Sequence, residues 1–493
     1  NPTAVAWSNN FDTRFPRQLI HSQAPQLVTD GTAGVRKNAT WFLDVPITGK
    51  TNSVPGQGTV LVLGDGYVAA FTPTKDNSVT GYQGSNVGSA RFDVVVEATG
   101  DGITFGRRPA VYGSYVFLPN LDGSAIYRRD VAAAYTVGTA TIGNATWFAV
   151  AAQQMWYNAA PSRLRQFVSA EGNLLNGTGL GATINVGNGR FDTRDGIALE
   201  GQMYVGMPDG MYQGSVTGTF SNISNDTVNS INTDNFSDLT THQGYVVGAA
   251  GAHIWAFKPS SIQNSLVEIG PPWVGLGPIL KTTHTDDRAN RELRGRFTAL
   301  KSYGPWLYAA LFTGTGSIFC AGIARDGGNQ YTWYPLHNFL GLNCKVTHIH
   351  VDSITLASDG TTVLPRRIWA ATDGSWGALS SATAPIIWWP IPDGDNNPLL
   401  DSQFHPNFMG SAQIELSQDD WQAPATVKIW RSIRVWGNSL LNPSVDTGSW
   451  KKRANVFVAM DAGLGSLNTA ISLGVAPPPN AGAGPLTSEL YFT

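Results

Sequence analysis

Apolar residues in this chain come in short runs, each broken by glycine, proline or an Asp-Gly pair, and nowhere do they keep a sustained helical spacing. Residues 296–335 show the repeating unit. The runs Arg296–Leu300, Trp306–Phe312, Ser317–Ile323 and Tyr331–Tyr334 are separated by Gly304-Pro305, Gly314-Thr315-Gly316 and Asp326-Gly327-Gly328. Glycine, and Asp followed by glycine, supply the left-handed backbone that tight hairpin turns require. Ser317–Ile323 carries Ile318, Cys320 and Gly322 on one face and Phe319, Ala321 and Ile323 on the other. A strand without a polar face sits between two layers. Four such strands in about forty residues, covered on both sides, predict one blade of a β-propeller.

The pattern recurs along the chain. Trp41–Val45, Thr59–Leu63, Tyr67–Phe71 and Arg91–Val96 form one unit, and Ala110–Tyr112, Tyr115–Phe117 and Ala125–Arg128 the next. Thr146–Ala151 and Leu164–Val168 give a less regular copy. Ile197–Leu199, Met203–Gly206 and Met211–Gly214 are a clear one, as are Tyr245–Gly248, His253–Phe257 and Leu266–Ile269. Val346–Val351, Arg367–Ala371, Ser375–Leu379 and Pro385–Trp389 form the last. Second strands start near Gly66, Gly113, Gly201, Gly244, Gly304 and Arg366; the wide interval after Gly113 implies one more unit, marked around Asn144–Trp147. The expectation is an all-β chain with about seven four-stranded blades over residues 1–407, six or eight being the alternatives. Phe11, Phe15 and Leu19-Ile20 are candidate anchors for a closing strand. Ten Asp-Gly pairs, at Asp30, Asp65, Asp101, Asp122, Asp195, Asp209, Asp326, Asp359, Asp373 and Asp393, mark expected hairpins.

After Asn407 the strands lengthen, with Ile414–Leu416, Thr426–Trp436 and Asn455–Met460 set between longer connections. Val427, Ile429, Arg431, Ile433 and Val435 share one face of Thr426–Trp436, while Lys428, Trp430, Ser432, Arg434 and Trp436 share the other. One core face and one aromatic-basic face predict a separate, incomplete β-sandwich over 408–493.

Composition narrows the function classes. Hydrophobic content is 42% against 14% charged, with 55 Gly and 16 Trp, which suits an all-β protein with a neutral polar surface. A net charge of −3 and a pI near 6.3 argue against a nucleic-acid partner. No apolar run is long enough to span a membrane. The first residues carry neither Met nor a signal pattern, which reads as a processed chain or a fragment. Cys320 and Cys344 could form at most one bridge, although a cysteine inside an apolar strand is commonly a small core residue.

Several clusters could carry chemistry. Asp393, Asp395, Asn397 and Asp401 occupy positions 1, 3, 5 and 9 of a calcium-type loop. Pro398 stands where glycine is expected and Phe404 where a bidentate Glu belongs, so the bland reading is a polar turn and no other cofactor is expected. His348, His350 and Asp352 share a strand face, with His284, Asp286 and Asp287 as further ligands of a metal; otherwise the histidines line a channel or blade edge. Trp369, Trp376, Trp388 and Trp389 either stack on sugar rings or fill the gaps between blades. Thr99–Phe105 resembles an Asp-box turn of sialidase-type propellers, and Asp326-x-Gly328 with Thr332-Trp333 is a looser version; such turns belong to the fold rather than the chemistry. No G-x-S-x-G elbow and no phosphate-cradling loop is present. No catalytic residue is assigned.

Three segments, RELRGRFTALKSYGPWLYAAL, GSIFCAGIARDGGNQYTWYPLH and ATVKIWRSIRVWGNSL followed by NVFVAMDAG, together resemble tail-associated virion proteins of bacteriophages that join a β-propeller to a small β-sandwich. The resemblance implies a non-enzymatic structural component of a virion, active in assembly and host-surface recognition. Its partners would be other virion proteins, copies of itself and a host-surface glycan. The competing readings are a secreted carbohydrate-active propeller, sialidase-like or another glycosidase, and a lectin-type module.

Overall fold

The computed structural model describes residues 5–9, 11–12, 20–21, 25–28, 38–45, 58–64, 67–73, 92–98, 105–113, 115–120, 126–130, 137–140, 145–160, 162–167, 180–215, 219–224, 231–259, 266–271, 295–314, 316–324, 331–338, 344–356, 361, 366–374, 384–391, 413–416, 432–437, 455–458, 471–475 and 486–491. Among them there is no helix, and the chain divides into two compact units. The larger holds Trp7–Gly275 and Arg294–Glu415.

That unit contains seven four-stranded antiparallel sheets in a β-propeller arrangement. The first comprises Ala39–Val45, Thr59–Gly64, Tyr67–Pro73 and Phe92–Ala98. The second comprises Ala110–Tyr112, Tyr115–Leu118, Ile126–Asp130 and Val137–Ala140. Phe148–Ala151, Gln154–Ala160, Arg163–Phe167 and Leu180–Asn185 make the third, and Asp195–Leu199, Gln202–Met207, Gly210–Ser215 and Ser221–Asn222 the fourth. The fifth is Thr240–His242, Tyr245–Ala250, His253–Phe257 and Leu266–Glu268. The sixth is Arg296–Tyr303, Trp306–Phe312, Ser317–Ala324 and Tyr331–Asn338. The seventh takes Cys344–Val351, Arg367–Gly374 and Ile386–Pro390 from one end of the unit and Gln26–Leu27 from the other.

The two-faced strands explain the arrangement. In Ser317–Ala324, Ile318 and Cys320 pack with the fifth sheet, against Val247 and Ile254, while Phe319 and Ala321 pack with the seventh, against Ile368 and Trp389. Every consecutive pair of sheets shares a buried cluster of this kind. Trp41 and Leu63 meet Phe105 and Val116; Phe117 meets Phe148 and Tyr157; Trp156 and Leu164 meet Met203 and Val205; Tyr204 and Met211 meet Phe236 and Val246. The last cluster joins the seventh sheet back to the first, with Trp369, Ile386 and Trp388 against Phe42, Val62 and Phe71. The ring is closed, so these clusters are shielded between neighbouring sheets.

The strand that completes the seventh sheet is short. Leu27 pairs with Ile387 and Gln26 with Trp388, and the Val28 N–H donates to Ile386 O at 2.9 Å. Of the expected anchors, Phe11 and Ile20 lie in the paired strands Phe11–Asp12 and Ile20–His21, and Phe15 and Leu19 lie outside the described residues. Since Arg367–Gly374 pairs directly with Ile386–Pro390, no strand from Ser375–Leu379, which lies outside the described residues, separates them.

Turn chemistry sets the first-to-second strand connections. Gly113, Gly201, Gly244 and Gly304 take φ between 55° and 81° there. In the third sheet the same turn is Ala152-Gln153, with φ of 48° and 61° and no glycine, so the marker expected near Asn144–Trp147 lies a few residues further on. The strand that follows Gly66, Tyr67–Pro73, is the third of its sheet rather than the second. A left-handed alanine is strained, so Ala152→Gly is expected to stabilise the protein by about 0.5–1 kcal/mol. A rise in the urea midpoint at constant slope is the check; a fall would mean that chain flexibility outweighs strain at this turn.

Cys320 and Cys344 are both buried and free. In the smaller unit, Ser432–Gly437 pairs antiparallel with Leu486–Tyr491, and Asn455–Val458 with Ile471–Val475. Residues 426–431 of the long strand expected there lie outside the described residues.

Candidate functional site

The first strand of each sheet, with the segment leading into it, carries the polar side chains that meet at the ring's axis. Arg108, just ahead of the second sheet, reaches across to the fourth and fifth. Its Nε and Nη2 donate to Asp195 Oδ1 and Oδ2 at 2.7 and 2.6 Å, and Nη2 also donates to Leu239 O at 2.5 Å. Asp195 accepts two more bonds, from the Gly196 and Leu239 amides at 2.9 and 2.8 Å. With both oxygens saturated by donors, this fully buried carboxylate is ionised. Burial disfavours the Arg108 charge, but Asp195 more than offsets this and holds the guanidinium above its ordinary pKa.

Asp238 Oδ2 sits 3.2 Å from both the Leu300 amide and His348 Nδ1, tying the fifth sheet to the sixth and seventh. His348 stacks on Trp41 at 3.5 Å between ring centres, and Arg108 lies over the same indole at 4.9 Å. Further along the axis, His350 Nε2 lies 2.7 Å from Asp44 Oδ1, and the Ser353 amide donates to Asp44 Oδ2 at 2.7 Å. Burial works against the Asp44 charge, yet His350 and Ser353 prevail and its carboxyl stays below the usual range. His242 Nδ1 lies 2.7 Å from Ser302 Oγ.

Lys301, on the first strand of the sixth sheet, differs from its neighbours. Its backbone pairs with Tyr308, but its side chain makes no hydrogen bond or ion pair among the described residues. Burial, then the Arg108 charge, lowers its pKa, with Asp44 and Asp238 pulling the other way. Beside this layer a cavity of about 220 Å³ opens between the first strands of the second, third and fourth sheets. Arg108, Phe148, Val150, Ile197 and Ala198 line it, and Val150 is 39% exposed.

Two of the buried histidines set an acid limit. Burial pushes both His348 and His242 down to about 4. An unfolded chain protonates them near 6.5, so between 6.5 and 4 it binds more protons than the folded one. Stability therefore falls as pH drops through that window, each histidine contributing up to about 3 kcal/mol. Urea unfolding at pH 7 and pH 5 checks this; equal stabilities at the two values would show that the histidines are charged in the folded state.

Of the residues singled out by sequence, His348 and His350 lie on Cys344–Val351 and Asp352 directly follows that strand, and the three do not converge. Each has its own partner, and Asp352 Oδ2 accepts Arg367 Nε and Trp369 Nε1 at 3.0 and 2.9 Å. Among the described residues no group of three or more His, Cys, Asp or Glu could hold a metal. Asp393, Asp395, Asn397 and Asp401 lie outside the described residues, as do His284, Asp286, Asp287 and Trp376. Trp369, Trp388 and Trp389 are buried between blades, which rules out sugar stacking by them. Trp333 is buried too, its indole N–H donating to Ile269 O at 2.6 Å across to the fifth sheet. Sequence reading missed Asp195 by taking Asp195-Gly196 for a turn, whereas Asp195 begins a strand. Gly196 is needed there because a Cβ would lie 2.2 Å from the Trp147 ring.

No protein-family model and no curated protein matches the chain. Among solved structures it is similar to the extracellular domain of a hybrid two-component system from B. thetaiotaomicron, at 13% identity and a TM-score of 0.44, over 74% of this chain and 39% of that one. It is also similar to a chain of the mitotic checkpoint complex (10% identity, TM-score 0.43, 78% of this chain and 94% of that one). The WD40 β-propeller domain of Doa1 is a third such structure (10% identity, TM-score 0.41, 74% of this chain and 96% of that one). Likeness at this level carries no argument about activity or partners.

Proposed function

We propose that the chain is a non-enzymatic structural subunit of a bacteriophage particle, in its tail, baseplate or fibre region, working in assembly and host-surface recognition. In this reading the seven sheets are seven blades over 1–407, and 408–493 is a β-sandwich. The partners are other virion proteins, copies of the chain and a host-surface glycan. The observation that supports it is the state of the axis. Arg108–Asp195, Asp238–His348 and Asp44–His350 bind one blade to another, an arrangement suited to a rigid disc. A glycosidase needs two carboxyl groups facing a substrate, one held protonated and one ionised. Asp44 and Asp195 instead have both oxygens engaged. The experiment is to look for the chain by mass spectrometry in purified particles and to screen the isolated protein against common glycosides. Presence in the particle and a blank screen are expected. Turnover that stops on changing one carboxylate would overturn the reading, as would a chain that never joins a particle.

A further inference from the structure

We infer that Arg296 and Lys345, where the first strands of the sixth and seventh sheets begin, form a binding site for an external carboxylate or phosphate group. The inference goes beyond the particle role and stands or falls without it. Asp234, in the segment leading into the fifth sheet, brings the two cations to one place. Lys345 Nζ lies 3.1 and 3.2 Å from Asp234 Oδ1 and Oδ2, and Arg296 Nε lies 2.5 Å from Oδ2. Both cations also sit over one ring, Arg296 Cζ at 5.9 Å and Lys345 Nζ at 6.0 Å from the centre of Phe312. Three blades thus supply one compact cluster.

Two cations share one carboxylate, which leaves a surplus of positive charge that a second anion relieves. Asp373 stands opposite Lys345 in the strand pairing but makes no ion pair with it. The donors are not used up either. Arg296 meets Asp234 through Nε, and its Nη1 and Nη2 have no partner among the described residues. The Nη1–Nη2 edge of a guanidinium matches two oxygens of a carboxylate or phosphate, and an ammonium beside it adds a third charge-assisted bond. The Arg296 side chain is 38% exposed and that of Lys345 21%, against 13% for Asp234, so the cations are open to solvent and their shared carboxylate less so. The frame is also preformed. The Asp234 amide donates to Asn232 Oδ1 at 2.9 Å, Asn235 Nδ2 donates to Pro208 O at 3.0 Å, and Arg296 faces Phe312 in the strand register. A ligand therefore has little to reorganise on binding.

Glucuronate and glucose 6-phosphate are the probes, with glucose as their neutral counterpart, followed by titration calorimetry and ligand-observed NMR on the full chain. At least one of the acids is expected to bind about tenfold more tightly than glucose, and to weaken as salt is raised. Tighter binding of glucuronate assigns a carboxylate ligand, and of glucose 6-phosphate a phosphate one. Arg296→Met and Lys345→Met each remove one cation and should each cost about tenfold in affinity for the acid while the circular dichroism stays that of the parent. Arg163→Met, at an exposed position on the third sheet, should cost nothing. Glucose binding as tightly as both acids overturns the inference, as does no binding by either acid. Unchanged affinity in Arg296→Met or in Lys345→Met also overturns it, so a variant that fails to fold leaves the other to decide.

Discussion

Asp195→Ala is expected to cost about 3–5 kcal/mol of unfolding free energy, because it leaves the Arg108 guanidinium charged, buried and unpaired. The loss is one-sided by construction. Asp195 is fully buried and accepts four donors, so its removal also strips the Leu239 and Gly196 amides of their acceptor. Replacing both partners by apolar residues, as in Arg108→Met with Asp195→Leu, should recover most of the loss, since no uncompensated charge remains. Denaturant unfolding of the two single variants and the double one closes the cycle. A cost below about 1 kcal/mol for Asp195→Ala would mean that water reaches Arg108 freely and the axis is not the dry hub described.

A chain beginning at residue 29 is expected to unfold at a markedly lower temperature and to self-associate. It lacks the strand that completes the seventh sheet, so Ile386–Pro390 becomes an open edge offering unpaired backbone groups. It also lacks Val28, which is fully buried in the cluster between the seventh and first sheets and whose burial alone is worth about 2 kcal/mol. With the lost backbone bonds, the total is on the order of 4 kcal/mol or more. A peptide spanning residues 20–30, added back in excess, should raise the melting temperature in proportion to the logarithm of its concentration. A truncated chain that melts with the parent, as a monomer, would show that the other sheets hold the ring shut unaided.

Local signals made the blades readable. Strands such as Ser317–Ala324 have no polar face, and Asp65-Gly66 and Asp122-Gly123 lie in sequence between strands that pair with each other. Ala152-Gln153 escaped because neither residue type marks a left-handed turn, although both take positive φ there. Gln26–Leu27 is too short to show alternation, and its partner lies in the last sheet. The axial residues are the clearest case. Arg108, Asp195, Asp238, Lys301 and Asp44 are far apart in sequence, with nothing in their neighbourhoods to mark them. They meet only because a closed ring brings the leading end of every blade to one line. His348 and His350 were noticed as alternate residues on a strand, and each is buried against a carboxylate of its own, Asp238 and Asp44.

Leu27 finds Ile387 across about 360 positions of chain, and this orders events during synthesis. At roughly 5–20 residues per second, the ribosome takes tens of seconds to deliver the partner after the N-terminal segment has left the tunnel. Until then the nascent segment has no place to dock, and the growing stack of blades carries two raw ends. Whatever escorts this chain in the cell must shield those ends until Ile386–Pro390 has left the tunnel, the moment at which the circle can first lock.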